Sequence, residues 1–118
     1  MDIRIENDTQ RPTPRQHVLT RMTRALRRIQ VRPVTAHVAF ADLNGPKGGL
    51  DVRCALRVTV PGQPPVVAEG VAVGLRLAFD QGHARLVRRL ERAFARWQES
   101  RRRPKKYFVA KRLLSGAP

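Results

Sequence analysis

The stretch VTAHVAFADLNGPKGGLDVRCALRVTV, residues 34–60, decides the fold. In its first half Val34, Ala36, Val38 and Phe40 alternate with Thr35, His37, Ala39 and Ala41. In its second half Val52, Cys54, Leu56, Val58 and Val60 alternate again, with Arg53, Arg57 and Thr59 on the opposite face. A period of two is the mark of a half-buried strand. Between the halves Asn44-Gly45-Pro46-Lys47-Gly48-Gly49 concentrates turn-forming residues, with Lys47 at the tip. The stretch reads as two strands joined by a loop.

Outward from this pair the period changes. Upstream, Val18, Met22, Leu26 and Ile29 recur at spacings of 4, 4 and 3, with Ala25 widening the stripe, which is one face of a helix ending before Pro33. Thr13-Pro14-Arg15-Gln16 is a helix start, with threonine as cap and glutamine completing a capping box. Arg21, Arg24, Arg27 and Arg28 fall mostly off the stripe. Before the helix, Asp2-Ile3-Arg4-Ile5-Glu6 alternates and reads as a short strand. Downstream, Pro61-Gly62-Gln63-Pro64-Pro65 is a turn and residues 66–70 a short strand suited to an edge. A second helix is expected from Val73 or Gly74, with a stripe of Leu75, Phe79, Gly82, Leu86, Leu90 or Ala93, Phe94 and Trp97. Its exposed flanks carry Arg76, His83, Arg85, Arg88, Arg89, Arg92 and Arg96. The order is βαβββα, an α+β domain with two helices packed on one face of a four-stranded sheet. The domain is expected over residues 1–100, followed by a basic flexible tail over 101–118.

Composition narrows the function. The chain has 118 residues, 24 Lys and Arg against 9 Asp and Glu, and a formal net charge of +15. Such an excess repels itself and is best carried against a polyanion; nucleic acid comes first and an anionic membrane surface second. Cys54, the one cysteine, cannot form an internal disulfide, and no apolar run is long enough to span a membrane. The start MDIRIENDTQ is acidic, without the apolar core of a signal peptide, so a cytoplasmic protein is expected.

The charge is concentrated. From Arg85 to Arg112 there are twelve Lys or Arg and two acids, Glu91 and Glu99, which is two thirds of the net charge. The run Arg101-Arg102-Arg103-Pro104-Lys105-Lys106 extends the second helix's arginines. Arginine dominates, which favours bidentate contact with phosphates over point charges. Phe40, Phe79, Phe94 and Trp97 all sit in apolar stripes, leaving Tyr107 as the one candidate base-stacking ring. Binding to the backbone and shape of structured RNA is therefore expected, rather than base reading. Replacing Arg85, Arg88, Arg89 and Arg92 is expected to weaken it far more than changes at Arg4 and Arg57.

No catalytic constellation assembles. His17, His37 and His83 lie in different elements, and nothing has the spacing of a metal site. The loop at 44–49 lacks both phosphate-loop and dinucleotide fingerprints and joins two strands. Cys54 reads as a small buried hydrophobe. No enzyme activity, cofactor, metal or small-molecule substrate is expected.

The segment from Val38 to Cys54, with its NGPKGG loop followed by Asp51, Arg53 and Cys54, resembles the strand–loop–strand signature of the ribosome hibernation promoting factors, a family that includes the ribosome-associated inhibitor A and sigma-54 modulation proteins. The resemblance covers about residues 2–97, and the length matches the family's short form. It implies a double-stranded-RNA-binding-like fold and a partner, the 30S ribosomal subunit with its 16S rRNA, within the 70S ribosome. It also implies translation inhibition by occlusion of the tRNA and mRNA channel. The family's helical basic surface maps to Arg21, Arg24 and Arg28, and to Arg76, Arg85, Arg88, Arg89 and Arg92; Lys47 and Arg53 match the signature. Arg96, Arg101, Arg102, Arg103, Lys105 and Lys106 join these as rRNA-binding candidates on charge alone. A general structured-RNA or double-stranded nucleic-acid module is the alternative.

Overall fold

The computed structural model describes residues 1–28, 34–43 and 51–102, with side chains through Glu99. Six elements follow the expected order: β1 (Asp2–Asn7), α1 (Arg15–Arg28), β2 (Thr35–Asp42), β3 (Val52–Thr59), β4 (Val66–Ala72) and α2 (Leu75–Arg102). They form one sheet in the order β1-β2-β3-β4. β1 runs parallel to β2, the pairing that the intervening helix permits, and the other two pairs are antiparallel. The loop at 44–49 and the tail from Arg103 lie outside the described residues, and α2 continues two residues past the boundary expected at 100.

The period-two pattern places its residues as chemistry requires. Ala36, Val38 and Phe40 of β2 and Val52, Cys54, Leu56 and Val58 of β3 are buried beneath the helices. Val18, Met22 and Leu26 of α1 and Leu75, Ala78, Phe79, Leu86, Leu90 and Ala93 of α2 close the core from above. Phe94 and Trp97 are half-buried against its margin. Cys54 is fully buried, and loss of hydration pushes its thiol up to about 12, so it is an inert filler.

Three local readings change. Thr13 stands one residue too early to cap α1, and its Oγ1 accepts from Asn7 Nδ2 at 2.8 Å. The first helical bond instead runs from Val18 N–H to the Pro14 carbonyl at 3.0 Å. Asn7 organises the whole β1–α1 loop, its Oδ1 accepting from Thr9 N–H and its Nδ2 also donating to the Arg11 carbonyl. β4 extends to Ala72, two residues beyond the expected strand. His83, expected on an exposed flank, is buried at 8 % exposure. It lies four residues after Phe79 and three before Leu86, inside the stripe, and its polar ring is accommodated because Nε2 meets the Arg21 carbonyl at 3.3 Å.

Two glycines set the distance between helix and sheet. A Cβ on Gly70 would lie 2.1 Å from the Ala78 carbonyl oxygen, and one on Gly82 would lie 2.4 Å from Leu56 Cδ1. Neither position has room for a side chain, so α2 rests directly on β4. That approach decides what the flanks of α2 can reach.

Candidate nucleic-acid interface

β4 is an edge strand, and its outward backbone groups need partners. α2 supplies them. The Glu69 carbonyl accepts from Arg85 Nη1 at 2.8 Å, and the Val67 carbonyl accepts from Arg89 Nη1. Val71 N–H donates to Gln81 Oε1 at 3.2 Å. Residues 81, 85 and 89 are one row at helical spacing, brought over the strand edge by the Gly70–Gly82 approach. Each arginine spends one of its five donors on a carbonyl and keeps the others.

These two guanidiniums wall a cleft on the far side of the sheet from the core. His37, Ala39, Arg53, Ala55, Arg57, Val67, Glu69, Arg85 and Arg89 line it. Ala39 and Ala55 pair across β2 and β3. Their small side chains make a trough between two taller rows. Arg53 Nη2 is held at 2.7 Å from Glu69 Oε2, while His37 Nε2 lies 3.2 Å from Glu6 Oε1. Arg57 has no ion-pair partner among the described residues.

The other flank of α2 is spent on α1. His17 Nε2 and Asp80 Oδ1 are 2.7 Å apart, and Arg28 Nη2 and Glu91 Oε1 are 3.2 Å apart. Phe79 is stacked between His17, edge-on with centroids 5.6 Å apart, and His83 at 5.3 Å. Burial lowers the pKa of His83, which favours the neutral ring. On the solvent side of α1, Leu19, Thr20, Thr23, Arg24, Arg27 and Arg28 line a second, open groove.

The candidate residues thus separate into groups. Arg85, Arg89 and Arg53 meet at the outer cleft, and Arg24 and Arg28 meet on α1 with Arg27, which the sequence reading left out. Arg21, Arg76, Arg88, Arg92 and Arg96 are exposed. Lys47, Arg103, Lys105 and Lys106, together with the side chains of Arg101 and Arg102, lie outside the described residues. Arg57 was set apart from the footprint, yet it shares the cleft with Arg85 and Arg89. Its outward register in β3 was legible; that α2 arginines reach round β4 to meet it was not. Among the described residues no group of His, Cys, Asp and Glu could hold a metal ion, and no helix is long and apolar enough to cross a membrane.

The arrangement fixes guanidiniums at the surface, and its fold has known relatives. The chain is similar to the N-terminal domain of Protein Y from Thermus thermophilus, at 23 % identity and a TM-score of 0.63 over 78 % of this chain and 98 % of that domain. It is also similar to a ribosomal subunit interface protein from Coxiella burnetii, at 18 % identity and a TM-score of 0.61 over 80 % of this chain and 99 % of that one. No protein-family model and no curated protein sequence matches the chain. The four-stranded sheet with two helices on one face is the fold of these proteins, and it is the fold that the NGPKGG resemblance implied.

Proposed function

We propose that this chain is a cytoplasmic ribosome-associated protein that binds 16S rRNA in the small subunit and inhibits translation by occluding tRNA and mRNA. The observation that carries the reading is the coincidence of two features. The fold is shared with a protein described as a ribosomal subunit interface protein, and on this chain it bears rows of exposed arginines on both helices. Occupancy suffices as a mechanism. A compact arginine-studded domain competes for phosphates that tRNA and mRNA also need, and no bond is made or broken. Residues 103–118 add five more Lys and Arg to the chain's positive charge.

Sedimentation of the tagged chain with cell extract tests this. The protein is expected to travel with small subunits or whole ribosomes and to displace initiator tRNA from purified subunits. If 6–10 phosphates are contacted, affinity falls about 10³–10⁵-fold between 50 and 200 mM salt. Equal affinity for random RNA duplexes, with tRNA binding undisturbed, would refute the reading.

A further inference from the structure

We infer that the outer sheet cleft between β2 and β4 is a second RNA-backbone site, in which Arg57 and Arg53 grip one phosphodiester segment lying along β3 over Ala55. This rests on the ribosome-binding reading and adds to it a face opposite the helices.

Shape, charge and rigidity converge there. Ala55, beside Ala39, leaves β3 low between Arg53 and Arg57, so a ligand spanning the two arginines passes over alanine. Four arginines line it against one carboxylate, Glu69. Arg53 and Arg57 project from the same face of β3, ~13 Å apart at four residues' rise, so one ligand meeting both must run along the strand. Arg85 and Arg89 stand at the rim with their guanidiniums already anchored to the Glu69 and Val67 carbonyls. Side chains held in place before binding lose less entropy when they bind. Arg57 is the uncommitted member, with no ion pair among the described residues.

The occupant is argued from the same features. Alanines occupy the middle of the cleft with Val67 beside them, and four guanidiniums line it. It holds no Phe, Tyr or Trp to stack a base. Repeating phosphates suit such a surface. Arg92 and Arg96 follow Arg85 and Arg89 at helical spacing, which continues the basic row past the end of the cleft. Glu69 is the internal competitor, because its carboxylate occupies Arg53 until a phosphate displaces it.

The test titrates the full chain onto purified small ribosomal subunits across a salt series. Arg57→Gln is expected to bind about tenfold more weakly, as loss of a charge-assisted hydrogen bond implies. Its salt slope should fall by about 0.9 or a little less. Arg4→Gln, on the same sheet face but outside the cleft, should match the wild type. Glu69→Gln should bind up to about fivefold more tightly, by freeing Arg53 from an exposed pair. A photoreactive group on Ala55→Cys identifies the occupant. Label directed to that thiol avoids buried Cys54, and crosslinking should go to RNA.

If the wild-type chain does not bind subunits, the ribosome reading fails and this inference falls with it. If it binds while Arg57→Gln keeps wild-type affinity and slope, the cleft inference alone is overturned. Crosslinking from residue 55 to an acidic ribosomal protein, rather than to RNA, also overturns it.

Discussion

The two flanks of α2 put their charged side chains to opposite uses. Towards α1 the charges are used up: Asp80 meets His17 and Glu91 meets Arg28. Towards β4 the helix presents Gln81, Arg85 and Arg89, which bond to neutral backbone groups. A guanidinium on a carbonyl is fixed in place without being neutralised. The first flank pairs the helices; the second covers a sheet edge and leaves its charge unneutralised. Net charge alone does not reveal this division, because acids and bases are counted wherever they point.

The comparison breaks most severely where helix and sheet meet. Gly70→Ala drives a methyl group against the Ala78 carbonyl, and overpacking of this kind costs roughly 1–3 kcal/mol. Urea denaturation followed by circular dichroism should show that loss, and subunit affinity should fall as well, because Arg85 and Arg89 are carried off the β4 edge. Next in size is Arg85→Gln with Arg89→Gln. Losing two charge-assisted contacts should weaken subunit binding about a hundredfold or more, while the urea midpoint falls only modestly, because the Glu69 and Val67 carbonyls exchange a guanidinium for water at an exposed edge.

Smaller still is the pH response of the α1 flank. Burial lowers the His83 pKa in the folded state below the usual value of 6.5, so the unfolded chain binds its proton first as pH falls. The stabilisation is fully present above that value and declines below it, towards the lowered folded pKa. Urea titrations at pH 7.5 and pH 5.5 should show the decline, and His83→Gln should reduce it. The smallest expected effect is chemical. At pH 8 a thiol reagent should leave Cys54 unmodified in the folded chain and react promptly after unfolding, since the buried thiol stays protonated until about 12.

How far the sequence could be read follows from these same elements. β2 and β3 were legible residue by residue, because alternation needs only local order and every apolar residue at an inward position of both strands is buried. The start of α2 was legible from Gly74, whose carbonyl accepts the first helical bond from Ala78 N–H at 3.0 Å. His83 was misplaced although its spacing from Phe79 and Leu86 fits the stripe. Its polarity outweighed its position, and the carbonyl that accommodates it belongs to another helix. The outer cleft was out of reach for a related reason. It needs β4 at the sheet edge, α2 pressed on it and two arginines turned round it, all of which are tertiary. Gly70 and Gly82 were its trace in the sequence, and only Gly82 entered the helix pattern.

The most direct measurement is co-sedimentation of the full chain with purified small ribosomal subunits, for the wild type and for Arg85→Gln with Arg89→Gln, at one salt concentration and with added tRNA. The account predicts that the wild type pellets with the subunits until tRNA competes it away, and that the folded double variant stays in the supernatant. A wild type that does not pellet, or a double variant that pellets equally well, would contradict it.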